Sequence, residues 1–275
     1  MSEAHWQLDG DAPELYQRYL VPAITSKWAA DLIGRAKPVA GEKVLDVACG
    51  TGVVARLAAR MMGRGHVIGL DLNVGMLAVA QTQSSEGAPI EWIEGGALDL
   101  PFASDNFDLV VCQLGLQFFP DQGRALSEIR RVLSHSGRVA LSVFSPIEQT
   151  TGANAFVQAL DDELGAHASQ IKRGEHTFRD PDQLRTLLTD AGFDAVQVQI
   201  VVQQIEFPSV LDYVRFQLLA TPMAALLKDR GDIERSGTIN SIATRTAGFS
   251  SAAMMRDGKF CFPQEAYVAT ARTSA

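Results

Sequence analysis

A short apolar run that ends in a glycine pair constrains this chain more than any other feature. Lys43-Val44-Leu45-Asp46-Val47 is bounded by Gly41 before it and by Gly50-Thr51-Gly52 after it, and a helical pattern follows over Val53 to Met62. An apolar run of this length between glycines reads as a buried strand. Glycine at the turn lets a ligand approach the backbone closely, and the helix beyond presents free N–H groups at its N-terminus. His66-Val67-Ile68-Gly69-Leu70 is the next strand and ends at Asp71. Asn73 caps the helix after it, which carries Met76, Leu77 and Ala80 on one face.

The alternation continues. Ile90-Glu91-Trp92-Ile93 is a strand, and Phe107-Asp108-Leu109-Val110-Val111-Cys112 is a strongly apolar one. Asp121 to Leu133 is an amphipathic helix, and Ser136-Gly137 turns the chain into the strand Arg138 to Val143. Strands alternating with helices through short turns predict an α/β fold, a parallel sheet with helices on both faces and right-handed crossovers. Before this core, Pro13 to Ala36 reads as helix, with Pro22 as a break or a new start, and residues 1–12 read as a loose polar segment. After Pro146 the character shifts. Residues 150–165 read as helix, 166–180 as a polar segment, and Pro181 to Ala191 as a helix that Gly192 ends. Val196 to Ile205 alternates like a strand, Pro208 to Lys228 is a long apolar helix with a break at Pro222, and a last strand lies around Ala266 to Thr270.

Composition bounds the function. The net charge is −8, with 24 Lys and Arg against 32 Asp and Glu, which speaks against a nucleic-acid binder that must neutralise phosphates. Cys49, Cys112 and Cys261 are far apart and lack C-x-x-C spacing, so neither a disulfide framework nor a metal site is expected. The start shows no secretory pattern and no stretch is long enough for a membrane span. Together these predict a reduced, cytoplasmic protein of one α/β domain, a monomer or a homodimer.

Which nucleotide the glycine loop takes is the sharper question. Gly50-Thr51-Gly52-Val53-Val54-Ala55 fits the dinucleotide pattern G-x-G-x-x-G/A, and Asp71 stands where a carboxylate accepts ribose hydroxyls in either case. Asp46 separates the alternatives. A buried carboxylate before the loop is costly unless it meets a partner. A cationic amino-acid end supplies one, whereas dinucleotide phosphates are repelled. The wording Asp46-Val47-Ala48-Cys49-Gly50-Thr51-Gly52 is followed by Leu98-Asp99-Leu100-Pro101-Phe102 and by Asn106-Phe107-Asp108-Leu109-Val110.

On these motifs the chain resembles the class I S-adenosyl-L-methionine (SAM)-dependent methyltransferases. It is most similar to the ubiquinone/menaquinone-biosynthesis type, or methyltransferase type 11, over roughly residues 15–145. The resemblance implies a Rossmann-like sheet of seven strands with the last one antiparallel beside the fifth. It implies N-terminal lid helices over 1–40 and a methyltransferase domain over 41–275, with substrate-covering helical insertions near 146–180 and 208–250. It also implies roles. Asp46, Ala48, Cys49, Gly50 and Gly52 surround the methionine part, Asp71 takes the ribose, and Leu72 and Met76 pack on the adenine. Ala97 and Leu98 lie along the adenine edge, and Cys112, Gln113 and Gln117 line the wall beside the sulfonium. The N-terminal helix covers the cofactor in such proteins, which brings Tyr19, with Tyr16 on the same helix, toward SAM. A helix face packed on the core is the competing reading. The pattern departs at Gly95-Gly96-Ala97, where the family carries Gly-Asp-Ala, so the acid for the adenine amino group is missing at residue 96.

The expected reaction moves a methyl group from SAM to an O, N or C nucleophile of a small molecule, apolar or aromatic if the helix from Val210 is a lid. No catalytic residue stands out. His176 is the candidate base, set against a merely solvated histidine, because it follows the fifth strand. In-line displacement needs alignment and dryness more than a base. The rival readings are a SAM-binding protein of the same fold that does not methylate, and an NAD-dependent oxidoreductase, for which no hydride-transfer constellation is found.

Overall fold

The parallel order of the first five strands follows from their composition. β1 (Lys43–Val47), β2 (His66–Asp71), β3 (Ile90–Glu94), β4 (Phe107–Gln113) and β5 (Leu133–Phe144) pair in parallel in the order β3-β2-β1-β4-β5. Near-continuous apolar runs such as Leu109-Val110-Val111-Cys112 suit strands covered on both faces. Side chains alternate between the two: Leu109 and Val111 enter one core cluster, Val110 and Cys112 the other. The molecule is described here from a computed structural model over residues 10–273. His5 and most of the segment expected to be loose lie outside the described residues.

The helices divide between the faces. α2 (Ser26–Ala36), α3 (Val53–Met62), α6 (Thr151–Leu164), α9 (Val210–Leu219) and α10 (Asp232–Phe249) feed the first cluster. α5 (Gln122–Val132) and α8 (Pro181–Asp190) feed the second. α4 (Val74–Thr82) follows β2, with its N-terminus capped by Asn73, whose side chain accepts from the Met76 N–H.

Beyond β5 the sheet continues as β8 (Lys259–Thr273), antiparallel to β5, and then β6 (Phe193–Phe207), antiparallel to β8. The seven expected strands are therefore present, with the last one antiparallel and inserted beside the fifth. A two-residue strand, β7 (Met255–Arg256), pairs with the start of β8 as an eighth. β6 and β8 are each longer than their sequence patterns suggest. They project as a two-stranded ribbon paired as far as Phe207 opposite Phe260. Tyr213 of α9 plugs that ribbon against α6, with Phe156, Phe207, Phe260 and Phe262 at ring distances of 5.1–5.6 Å.

The N-terminal helix corrects one expectation. Pro22 neither breaks it nor restarts it. α1 (Ala12–Leu15) runs into a π-helical stretch, Tyr16–Thr25, that contains Pro22 and continues into α2. The wider i→i+5 turn relieves the clash that a proline ring makes in an α-helix. The polar segment at 166–180 also contains a short helix, α7 (Gln170–Gly174).

Candidate functional site

The strand order reverses direction at β1, which opens a crevice beyond the carboxyl ends of β1 and β4. A cavity of about 280 Å³ lies there. Both strands end in a residue with left-handed backbone, Ala48 at φ 57° and Leu114 at φ 52°. Each such residue costs about 1–2 kcal/mol, and the two turns deliver Ala48, Cys49, Gly50, Gln113 and Leu114 to the cavity wall.

Asp46 sits between Gly69 of β2 and Val111 of β4, 1% exposed. Its Oδ2 accepts from the Ala55 N–H at 2.9 Å, at the start of α3, where the helix dipole favours negative charge. Asp46 thus caps α3. Its Oδ1 is buried and has no hydrogen-bond partner among the described residues. Burial pushes the carboxyl up from 3.8 to about 8, with the Ala55 hydrogen bond pulling the other way.

Asp71 ties two loops together. Its Oδ2 accepts from the Gly50 N–H at 2.7 Å and its Oδ1 from the Asn73 N–H at 2.8 Å. Burial raises this carboxyl too, and the backbone donors oppose it. Trp92 lies against the floor of the loop. A Cβ on Gly52, at φ 81°, would stand 2.2 Å from its ring, and one on Gly69 2.4 Å. Gly50, at φ 55°, has nothing within 4 Å of its Cβ position, so its backbone is approachable.

Leu72, Met76, Gly96 and Ala97 line the far end with Asp71. No acid replaces the one missing at residue 96: a Cβ there would meet only Leu72 Cδ1 at 4.0 Å, and Asp99 is exposed and outside the wall. These residues fit SAM. An orphaned buried carboxylate oxygen suits a cationic amino group, and Asp71 at a strand end suits a ribose diol. Asp71, and Asp46 once it is ionised, would repel a pyrophosphate.

Five further residues expected at the cofactor do not line the cavity. Tyr19 stacks on Phe216 at 3.9 Å between ring centres. The π-helical turn brings residues four or five apart onto one face, so Tyr16, Leu20, Ile24 and Thr25 face the cavity instead. Gly52 acts beneath the loop, against Trp92. Leu98 packs on the second core cluster, and its carbonyl accepts from Arg124 Nε. Cys112 is fully buried on the second face, where burial pushes its thiol up to about 12. A Cβ on Gly115 would meet its Sγ at 2.9 Å, so Cys112 supports the loop from behind. Gln117 is turned inward, its Oε1 accepting from the Phe144 N–H at 3.3 Å.

His176 is also outside the wall. Its Nδ1 donates to the Ser145 carbonyl at 2.7 Å, and its ring stacks on Phe144, which does line the cavity. Burial, reinforced by Lys172, lowers it from 6.5 to about 3, so the ring is neutral.

Lys172, Glu175, Gln217 and Gln264 line the cavity and carry no sequence motif. Gln217, a lone amide within the apolar Val210–Leu219 run, was a legible signal, as were Lys172 and Glu175, opposite charges three residues apart. Among the described residues no helix is long and apolar enough to cross a membrane, and no cluster of ligating side chains could hold a metal ion.

Comparisons with known proteins agree with this geometry. Residues 44–137 match the family model described as "Methyltransferase domain". The chain is 36% identical to a 2-phytyl-1,4-naphtoquinone methyltransferase of Thermosynechococcus vestitus, over 57% of this chain and 74% of that protein. It is 37% identical to a demethylmenaquinone methyltransferase of Thermotoga maritima, over 66% of this chain and 82% of that protein. The solved structure of the YcgJ protein from Bacillus subtilis shares the fold, with a TM-score of 0.58 at 20% identity, covering 90% of this chain and 98% of that one. Sequence likeness at this coverage and the SAM-compatible crevice lead to one assignment: the chain belongs to the class I SAM-dependent methyltransferases of the ubiquinone/menaquinone-biosynthesis type.

Proposed function

We propose that the cavity seats SAM with its amino-acid end at Asp46 and the loop Ala48–Gly50, its ribose at Asp71, and its adenine between Leu72, Met76 and Ala97. The observation that carries this reading is the buried, unpartnered Oδ1 of Asp46 on the cavity wall. The first turn of α3 adds the N–H groups of Val53 and Val54, which lack intrahelical acceptors and suit a carboxylate. When bound, SAM supplies a methyl group on a sulfonium that needs no further activation.

The chain's own residues then have three tasks. Ala48 and Leu114 turn the chain at the two strand ends and form walls of the reaction channel. Leu20, Ile24, Phe118, Phe119 and Phe144 make the acceptor side apolar and exclude water. The helices before β1, with α9 and the 3₁₀ turn Pro222–Leu227, cover the crevice and align the acceptor for in-line attack. A flat hydroxylated ring of the naphthohydroquinone kind is the acceptor we propose, in keeping with this wall and with the names of the two relatives.

Titration calorimetry with SAM, its demethylated product and NAD tests the cofactor. Mass spectrometry for a one-methyl gain on 1,4-dihydroxynaphthalene tests the acceptor. SAM and its product bind and NAD does not. NAD binding without SAM binding would overturn the reading, and SAM binding with no gain on any hydroxylated ring would overturn its acceptor half.

A further inference from the structure

Inside the cavity, on the side of β5 and β8, lies a salt bridge that SAM does not need. Lys172 Nζ and Glu175 Oε2 are 2.5 Å apart, and the two residues are 5% and 6% exposed. Both line the cavity, near Phe144 at the end of β5 and Gln264 of β8. The segment is pinned in place: His176 Nδ1 donates to Ser145 just past β5, and the Ser169 hydroxyl donates to Asp161 Oδ2 of α6 at 2.8 Å.

A buried ion pair is a poor source of stability unless its remaining donors and acceptors are met. Here they are not met. Among the described residues the Lys172 ammonium makes one hydrogen bond, to Glu175, which leaves two hydrogens, and Glu175 Oε1 accepts none. Gln217 Oε1 and Gln113 Oε1, on the same cavity wall, are buried without partners. Tyr16 is another wall residue, carried there by the π-helical stretch. This is a cluster of free donors and acceptors inside an otherwise apolar acceptor wall, and an acidic hydroxyl satisfies both halves of the pair at once.

Building on the methyltransferase reading above, we propose that Lys172 and Glu175 are catalytic residues that hold the ring hydroxyl of the methyl acceptor. Glu175 takes the hydroxyl proton, and Lys172 holds the oxyanion that remains. The O–H bond breaks, its proton goes to Oε1, and its electron pair spreads into the ring. The adjacent ring carbon forms the bond to the methyl carbon as the sulfur–methyl bond breaks, with that electron pair staying on sulfur. The hydrogen on the methylated carbon leaves as a proton to water, and Glu175 returns its own to the oxygen. The pair makes the first step inexpensive because the local charge does not change. Lys172 exchanges a carboxylate counterion for an oxyanion, and no new net charge is created in a dry site.

The test uses the full chain, 1,4-dihydroxynaphthalene kept reduced under argon, and the variants Glu175→Gln, Lys172→Met and the double variant. SAM affinity reports both folding and the underlying site. SAM binding stays within about threefold of wild type in all three. Glu175→Gln lowers kcat about 100-fold or more, the scale of a lost general base, with a smaller change in diol affinity. Lys172→Met weakens diol binding more than about tenfold, the loss of a charge-assisted hydrogen bond. 1,4-Dimethoxynaphthalene, which has no proton to give, binds wild type and the double variant alike. Should a single variant fail to bind SAM, the double variant decides, since it leaves no unpaired charge. If it binds SAM and has lost kcat, the proposal stands; if it keeps kcat, or binds no SAM, the proposal falls. A wild type that binds no SAM sinks the methyltransferase-site reading itself, and one that binds SAM but neither holds nor methylates the diol sinks this inference alone.

Discussion

Replacing Asp46 by asparagine (D46N) should stabilise the empty protein and weaken its hold on SAM, with pH setting the size of both effects. The carboxyl is 1% exposed, one of its oxygens has no partner, and burial holds it near 8 rather than 3.8. Because the folded value lies above the unfolded one, the folded chain binds this proton more tightly. As pH rises from 3.8 the unfolded chain gives up its proton first, and folding stability falls until pH passes 8. At pH 7 the cost is roughly 4 kcal/mol, at 1.36 kcal/mol per pH unit. Below 3.8 both states are protonated and the cost vanishes. D46N removes it and keeps an acceptor for the Ala55 N–H, but buries an amide group worth about 1–3 kcal/mol if unpaired. A net gain of roughly 1–3 kcal/mol is left near pH 7, a rise in Tm of about 2–10 °C for a chain of this length. The gain shrinks toward pH 4.

Binding runs the other way. A cationic amino group at Oδ1 needs the carboxylate, so the apparent affinity of wild type should rise about fiftyfold from pH 6 to pH 8, following the ionised fraction of a group at 8. Calorimetry at pH 7 in buffers of different ionisation enthalpy should record close to one proton released. D46N should show a flat, weaker profile. A wild-type affinity that moves less than about threefold between pH 6 and 8, or an empty D46N less stable than wild type at pH 8, refutes the reasoning.

Other perturbations probe separate parts of the site. Ala48→Gly relieves a left-handed residue and should add about 1 kcal/mol to chemical-denaturation stability. Gly52→Ala drives a Cβ to 2.2 Å from Trp92 at φ 81° and should cost at least about 2 kcal/mol, with SAM binding lost in calorimetry. His176→Asn keeps a donor toward Ser145. Because His176 falls from 6.5 to about 3 on folding, its stability contribution is full above 6.5 and is lost as pH drops toward 3, by about 1.4 kcal/mol per unit. The variant should therefore resist acid unfolding in that window while binding SAM as wild type does.

The half of the cavity where we place SAM was readable because its residues are local to one motif. Asp46, Ala48, Cys49 and Gly50 come from a single strand and turn, and Asp71 from the end of the next strand, so strand register alone brings them together. Expected residues that lie off the cavity wall there do so mostly through side-chain direction. Cys112 and Gln113 are neighbours in β4, and period-two alternation sends only the second to the cavity. Tyr16 and Tyr19 were separable only by knowing that the helix is π-wound. The acceptor half was readable only as scattered hints, a lone amide in α9 and an oppositely charged pair three residues apart. Lys172, Gln217 and Gln264 lie on three distant segments, α7, α9 and β8, and Pro263 within β8 conceals how far that strand extends beyond its apolar part.

The two halves of the wall fit a transfer that destroys charge. On the side we assign to SAM, Asp46 and Asp71 line the wall. On the side we assign to the acceptor, Lys172 and Glu175 line the wall and are already paired with each other. A lone carboxylate there would stabilise the cationic donor before reaction and lose that stabilisation as the methyl group leaves, raising the barrier. A neutral pair does not. It becomes a source of negative charge only when an acceptor hydroxyl gives up its proton, and that charge is then cancelled by the transfer. The surrounding Leu20, Ile24, Phe118 and Phe144 keep the dielectric low, which favours a step in which opposite charges meet and vanish. The buried pair and the apolar wall are therefore one device: the wall makes charge cancellation favourable, and the pair moves its negative charge onto the acceptor oxygen, where the transfer cancels it.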